Sequence, residues 1–469
     1  MGEIVNIDKA MRHVNVVSSE LQRSRYFLGF CLLLAAFAVT RWFYYIDRFS
    51  VNLLFWDQWD FYEAFFFDKH LSLWQLFSWQ HSPHRQGLGF ILTDIINQLS
   101  GWNTRTECFA AGIIMLITVL LFSAVKKKLT GCLTRFDVIL VLIVLTPLQH
   151  GIFSGTPNLS HGSVPIMLIS LYCLGWMAAN RYVRYGCVLT VNFTLIYTGF
   201  GIFIGIITPG LFLLESISSY QKKSWAWFLV AIGGFVLSIL SVFSFICGYI
   251  FNPAVGGFQF PHPEWWGYPL FIIVGLANFY GIKGVGIHSL LVGGVTLGIF
   301  VWLLFYYGKQ LAICTIAPME NDKDIKDAAL INFCLILFTL LFFANAAVGR
   351  ISLGLKAAQT TRYVPYMIPA FVACYYHLLL RYREKPLLTI ILLFFLILST
   401  SLTKSDFRQM EQSANAKRLW KEKYLEVEDN YAAEQHSGVQ IYPIPDDTNL
   451  VNKLNYLKEK KLNLYLEIK

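Results

Sequence analysis

Charge is what this sequence has least of. Asp, Glu, Lys and Arg make up 14% of its 469 residues, against 56% hydrophobic, and the charges sit in short clusters that punctuate long apolar runs. That scarcity excludes an ordinary soluble domain. A span needs about 20 apolar residues to cross the bilayer core, and the chain has room for ten or more. The net charge of +9 therefore marks orientation rather than a polyanionic partner, and no nucleic acid is expected. The nine cysteines show neither a disulfide framework nor metal-ligand spacing. The first apolar span lacks a small-residue cleavage site, so it reads as a retained anchor rather than a signal peptide. Internal repeats of the transporter kind and low-complexity tracts are also missing.

The basic clusters orient the spans. Lys9, Arg12, Arg23 and Arg25 place the N-terminal segment 1–26 in the cytoplasm. Lys126 to Lys128 with Arg135, Arg181 with Arg184, Lys222-Lys223, Lys309 with Lys323 and Lys326, and Arg381 with Arg383 and Lys385 follow. All are cytoplasmic at once only if the chain crosses near 27–45, 108–124, 136–149, 164–179, 186–198, 202–217, 225–250, 285–306, 328–345, 363–380 and 387–403. The predicted fold is thus an all-α polytopic membrane protein of about eleven transmembrane helices over 27–403. Parity makes 46–107 a long external loop, because a crossing at Gly87 to Leu99 would put the triple lysine outside. That stretch is predicted as an interfacial helix with Asp94, Asn97 and Gln98 on its wetter side. A second such helix is predicted over 60–78, and Trp266 to Tyr280 can dip in without crossing.

After Thr403 the apolar runs stop and charge density rises. Residues 404–469 read as a small external α/β appendage: helix from Lys404 to Ala433, a turn at Tyr442-Pro443-Ile444-Pro445, and a helix presenting Leu450, Leu454 and Leu457. A strand alternation of Leu462, Leu464, Leu466 and Ile468 closes it. A unit this small is expected to dock on the rest of the external face.

Two external loops carry the chemistry. The first reads Trp56-Asp57-Gln58-Trp59-Asp60, with Glu63 and Asp68 beyond, then His81-Ser82-Pro83-His84-Arg85. Acids at a membrane boundary are costly unless solvated or given a task, and on a helix the spacing of Asp57 and Asp60 puts both on one face. The second loop reads Gly349-Arg350-Ile351-Ser352-Leu353-Gly354 and Arg362-Tyr363-Val364-Pro365, with arginines placed against the positive-inside bias. A guanidinium fork matches phosphate geometry and never deprotonates; snorkelling to headgroups is the plainer alternative. Lys356 reads as a headgroup contact, and His288 and His377 as structural. His81, His150, His161 and His262 are also external, which leaves a divalent metal as a minor alternative, but their spacing fits no metal motif and no cofactor is expected. Carboxylates and arginines on one face suit group transfer from an anionic lipid, with a base on the attacking side and a cation on the leaving phosphate.

At these residues the chain resembles the bacterial polytopic glycosyltransferases of the GT-C superfamily, which use polyprenyl-phosphate-linked sugars. Trp56 to Asp60 fills the acidic motif of their first external loop, and Gly349-Arg350 through Arg362-Tyr363 is similar to their late-loop pattern. His81 to Arg85 resembles an Asn-Glu-His-Arg element of that group but carries Pro83 where the acid stands, so another acid must take any role of that Glu. Size and layout are also similar to phage-type O-antigen glucosyltransferases. The resemblance implies an inner-membrane hexosyltransferase that works on the periplasmic face. Its donor is a polyprenyl-phosphate-linked sugar such as a glucose lipid, its acceptor a glycan such as O-antigen, and a separate lipid-sugar synthase and flippase supply the donor. Asp57 and Asp60 are the expected catalytic acids. His84, Arg85, Arg350, Arg362, Tyr363, Trp56, Trp59 and Glu63 are the expected contacts to lipid phosphate and sugar. An O-antigen polymerase, or a flippase for lipid-linked saccharides, is the rival reading.

Overall fold

The computed structural model describes residues 25–251, 256–316, 323–381, 404–443 and 448–466. Long apolar runs bounded by polar caps become helices. The chain opens with α1 (Arg25–Phe49), the short α2 (Gln58–Phe61) and α3 (Leu73–Phe77), a hairpin of β1 (Gln80–His81) and β2 (His84–Arg85), and α4 (Gly87–Ser100). It continues through α5 (Thr104–Thr130), α6 (Val138–Val144), α7 (Ser163–Trp176), α8 (Arg181–Ile196), α9 (Ile202–Gln221) and α10 (Trp225–Ile246). Then come α11 (Gly267–Ala277), α12 (Ile287–Ile316), α13 (Lys323–Arg350), α14 (Ile368–Arg381), α15 (Lys404–Val427), α16 (Asn430–Ser437) and α17 (Thr448–Glu459). Side-chain caps set several starts: Asn103 accepts from Arg105 N at α5, and Asn180 from Tyr182 N and Val183 N at α8.

Among the described residues, seven segments are long and apolar enough to cross a membrane: Arg25–Phe49, Thr104–Thr130, Gly199–Gln221, Trp225–Ile246, Ile287–Ile316, Asp324–Leu353 and Thr361–Arg381. Helices also stand where spans are expected at 136–149, 164–179 and 186–198, namely α6, α7 and α8, with 7, 14 and 16 residues, and of these α6 is much shorter than expected. The physical reason lies just after α6. Pro147 opens a 3-10 segment, Pro147–Ile152, after α6 has ended. Val164, Ile166, Ile169, Tyr172 and Cys173 of α7 are wholly buried, so α7 is surrounded by other helices rather than by lipid. The span expected at 387–403 lies outside the described residues. Opposite in character are α1 and α10, which expose Leu33, Phe37, Leu240 and Phe243, the kind of surface that lipid covers.

Of the basic clusters, Lys126, Lys128, Arg184 and Lys326 gather at one end, while Lys9, Arg12, Arg23, Arg383 and Lys385 lie outside the described residues. Lys126 pairs with Asp137 at 3.0 Å and Lys326 with Glu215 at 2.7 Å. Lys128 donates to the Met177 carbonyl and Arg184 to that of Ala178. The first loop, the late loop and the tail gather at the other end. Both ends of α4 belong there: Gly87 lies against Tyr197 and Thr198, and Gly101 against Leu466. Gly267 and Asn278, flanking α11, touch Ile351 and the Thr360 carbonyl of the late loop, so α11 starts and finishes at one end.

Two local expectations change. Residues 60–78 are not one interfacial helix. Phe67 and Asp68 adopt positive φ, +60° and +50°, which breaks the chain into short turns. Their aromatics are buried in protein, because Trp59, Phe61, Tyr62 and Phe66 form one core with Trp420, Tyr424, Leu450, Leu454 and Leu457 of the tail. Each such side chain contributes roughly 1.5–3 kcal/mol when buried. The described residues of the tail hold no strand, and Ile468 lies outside them. Where a strand was expected, Asn463–Tyr465 form a 3-10 turn. Its geometry is set by Asn463, whose Nδ2 donates to Asn52 Oδ1 at 3.1 Å and to the Trp102 carbonyl at 2.7 Å. Among the described residues the hairpin holds the only strands. On α4, Asn97 is buried and accepts from Tyr62 Oη at 3.3 Å, so the wetter side keeps only Asp94 and Gln98.

Lys453 stitches tail to loop: its buried ammonium donates to the Trp59 carbonyl at 2.8 Å and pairs with Glu63 Oε2 at 2.8 Å. Hydrogen bonds to a charged group contribute about 1.5–3 kcal/mol. Lys453→Ala is therefore expected to lower stability by about that amount, read as thermal unfolding in detergent, and to speed proteolysis within 62–72. An unchanged melting curve would mean that the apolar core alone holds the tail.

Candidate active site

Trp56 sets the geometry of the first loop. Its φ of +53° is unusual for a bulky residue and costs about 1–3 kcal/mol, offset in part by the bond from its N–H to the Ile441 carbonyl at 2.7 Å. The turn sends the two flanking rings apart. Trp56 stays 43% exposed, whereas Trp59 is fully buried and stacks on Phe66. The tryptophans therefore do not sandwich Asp57, and only Trp56 presents a ring to solvent.

Asp57 occupies the cap position of α2 without making a cap bond. Its carboxylate instead meets Arg362 at 3.0 Å, an approach across 305 positions of sequence in which both side chains remain about half exposed. Asp60 points elsewhere and accepts from the Tyr442 hydroxyl at 2.7 Å. Glu63 is bound to Lys69 at 2.7 Å and to Lys453. Burial draws the Glu63 carboxyl upward, but the two lysines outweigh it and hold it below the usual range.

The β1–β2 hairpin, turning at Ser82 and Pro83, pairs His81 with His84. Cross-strand partners share a face. His84 packs edge-on against His161 at 4.9 Å between ring centroids and lies 4.3 Å from Phe200. His161 arrives from the loop before α7, and Gly199 lets it in: a Cβ there, at φ +56°, would sit 2.1 Å from the Ser160 carbonyl. His161 keeps some surface, yet its Nε2 is buried and has no hydrogen-bond partner. Burial pushes all three imidazoles below their ordinary value, and the two arginines push further on His161, which falls to about 3. At neutral pH they are uncharged.

Arg350 ends α13 beside these rings, and its charge is felt by His84, His161 and Tyr363. Arg362 acts on His161 and Tyr363 as well. The two arginines therefore share His161 and Tyr363 as electrostatic neighbours, and Arg362 adds Asp57, so these side chains form one polar cluster, called the recess below. Gly151 makes room on the far wall, since a Cβ would lie 2.5 Å from Thr361 Oγ1 and 3.2 Å from Arg362 Cγ. Behind it, the buried Lys417 of α15 donates to the Gly155 carbonyl and lies 4.1 Å from the centre of the Phe55 ring. Its desolvated ammonium is pushed down to about 8.

Arg85 is not in the recess. Its guanidinium donates to the carbonyls of Ser78 at 2.6 Å, Phe245 at 3.0 Å and Cys247 at 2.7 Å, which fastens the hairpin to the C-terminal end of α10. Cations suit that end of a helix dipole. Of the residues singled out by sequence, the structure brings together Asp57, His84, Arg350, Arg362 and Tyr363, with Trp56 next to Asp57 in the chain. Asp60, Trp59, Glu63 and Arg85 are held by the scaffold. His161 and the tail residues Tyr442 and Lys453 were missed as parts of this region. Only His161 left a signal, as a histidine within the polar stretch 149–163 between two apolar runs.

The partly buried histidines have a pH signature. Above about 6.5 they are neutral whether folded or unfolded. As pH falls below that value the unfolded chain takes up protons and the folded one does not, so stability drops toward the folded pKa. Between pH 7.5 and 5 His161 alone should remove about 1–2 kcal/mol. His161→Gln should flatten the slope of melting temperature against pH in detergent; an unchanged slope would assign the acid sensitivity to other groups.

No family model, no curated protein and no solved structure matches this chain.

Proposed function

We propose that this chain is a membrane glycosyltransferase that moves a sugar, glucose being one candidate, from a polyprenyl-phosphate-linked donor to an acceptor glycan such as O-antigen on the external face of the bacterial inner membrane. One observation carries the reading: Asp57 of the first loop and Arg362 of the late loop, far apart in sequence, stand 3.0 Å apart at the end of the molecule opposite the basic clusters. A carboxylate and guanidiniums beside apolar, lipid-facing helices are what transfer from an anionic lipid requires.

In this reading the acceptor hydroxyl oxygen attacks the anomeric carbon. The bond from that carbon to the phosphate oxygen breaks, and its electron pair leaves with the polyprenyl phosphate. The acceptor proton passes to the Asp57 carboxylate. Arg350 and Arg362 neutralise the departing phosphate, and a fork does this better than a point charge. The neutral His84 and His161 offer uncharged hydrogen-bonding groups to sugar or phosphate, and the open face of Trp56 suits a pyranose. Asp60, tied to Tyr442, fixes the helix that carries Asp57. Trp59, Glu63 and Arg85 keep the loop in shape. The donor lipid has to be made and brought to this face by other membrane proteins, a synthase and a flippase. A flippase reading of the chain itself is less favoured, because the ionisable residues of the recess cluster at one end rather than at mid-span.

Turnover of purified protein with lipid-linked glucose and acceptor glycan tests the assignment. Loss of a general base costs about 10²–10⁴-fold, so Asp57→Asn should fold normally and turn over slower by that factor, with Asp60→Asn affected less. Arg362→Lys should keep part of the activity that Arg362→Ala loses. Near-normal rates in all four variants would take these loops out of the chemistry, and a product lengthened by whole repeat units would favour the polymerase reading.

A further inference from the structure

The Asp57–Arg362 pair raises a difficulty for the function proposed above. The residue suited to act as base is occupied by the cation suited to hold the phosphate. Both side chains are about half exposed, and exposed ion pairs are worth little. Arg362 is the only side-chain partner of Asp57 among the described residues. Close by, Arg350 makes no hydrogen bond or ion pair among the described residues, and His161 Nε2 is buried without a partner. The cluster therefore contains one guanidinium paired with Asp57, one guanidinium without such a bond among the described residues, and one unsatisfied ring nitrogen.

We infer that Asp57 is a stand-in for the phosphate: a lipid-borne phosphate enters on Arg350, displaces the Asp57 carboxylate from Arg362, and so releases Asp57 to face the acceptor. The inference rests on the proposed function and adds its regulation, namely that the base is masked until donor is bound. Charge makes the exchange nearly even. The carboxylate neutralises one guanidinium, and the incoming phosphate spans that guanidinium and Arg350, so the displaced Asp57 moves into solvent that already bathes half of it. Donor binding then precedes acceptor activation, so the base is available only while the lipid phosphosugar is in place. Nothing else in the loop has to move far. Trp56 and α2 are held from behind by the Ile441 carbonyl and the Tyr442 hydroxyl, so the exchange is a rotation of the Asp57 side chain.

A competing carboxylate makes a counterintuitive prediction: removing it should tighten binding of the phosphate while slowing turnover. The measurement is equilibrium binding of undecaprenyl phosphate to the full chain in detergent, with undecaprenol and inorganic phosphate as controls. Wild type is expected to bind undecaprenyl phosphate and, at the same micromolar concentrations, neither control. Asp57→Asn and Asp57→Ser, both tolerable at a half-exposed site, should bind it about two- to fivefold tighter, the range an exposed ion pair is worth. Arg362→Ala should bind it more weakly, and Asp57→Asn added to Arg362→Ala should give no tightening. Equal binding of undecaprenol would remove the phosphate from the site and with it the proposed function. Equal binding of inorganic phosphate would overturn the lipid-borne source. Undecaprenyl phosphate bound by wild type but no tighter by either Asp57 variant would overturn the exchange and leave the transferase reading in place.

Discussion

The candidate site depends on the closure of the tail over the long loop 46–107. Residues 46–107 have no core of their own: their helices are short, and their turns are interrupted by Trp56, Phe67 and Asp68 at positive φ. They acquire a core by sharing one with α15 and α17, in which Trp59, Phe66 and Trp102 meet Trp420, Leu454 and Leu457. Polar ties then fix the register of the two pieces. Asn463 bonds to Asn52 and Trp102, Tyr442 to Asp60, and Lys453 to Trp59 and Glu63. Burying such groups is tolerable only because they satisfy one another. The position of Asp57 is thus specified by residues nearly 400 positions further along the chain.

Charge is rationed along the chain, and the ion pairs are of different kinds. Lys126–Asp137, Lys326–Glu215 and Lys453–Glu63 each have at least one partner close to fully buried. Breaking a pair of that kind strands a desolvated charge, so these tie helices and loops in place. The pairs at the outer rim, Arg48–Glu411 and Arg105–Asp47, are largely solvated and hold little energy. Asp57–Arg362 resembles the second group in exposure but lies beside the partly buried histidines. A pair that exposed contributes little to stability.

Much of the architecture could be read from composition, because the constraints behind it are local. Apolar runs must be helical where backbone groups find no water, and clustered lysines and arginines mark one end of the bundle. The acidic loop and the late arginines stood out for the same reason, as charges where charge is scarce. What escaped depends on tertiary surroundings. Sequence could not say that Trp59 faces a core and Trp56 solvent, since the choice turns on one backbone angle. Nor could it show that Arg85 fastens the end of α10, that α6 ends before Pro147, or that the final leucines curl around Asn463 instead of forming a strand. His161 looked like one of several external histidines until Gly199 and the hairpin placed it against His84.

These placements share a consequence for how the site is built. Three of the backbone segments that carry or flank the site are anchored on their far side by contacts outside it. The hairpin is held by Arg85 on α10, the loop around Gly155 by Lys417 from the tail, and α2 by Tyr442 and Lys453. The groups left facing inward are then a carboxylate, two guanidiniums and neutral imidazoles whose mutual bonds are few. Such a division is physically reasonable for a site that must change its contacts. Preorganised groups act best when their supports are rigid and their own partners are replaceable. Because the anchors and the recess share few side chains, the charge pattern inside can alter without cost to the fold that positions it.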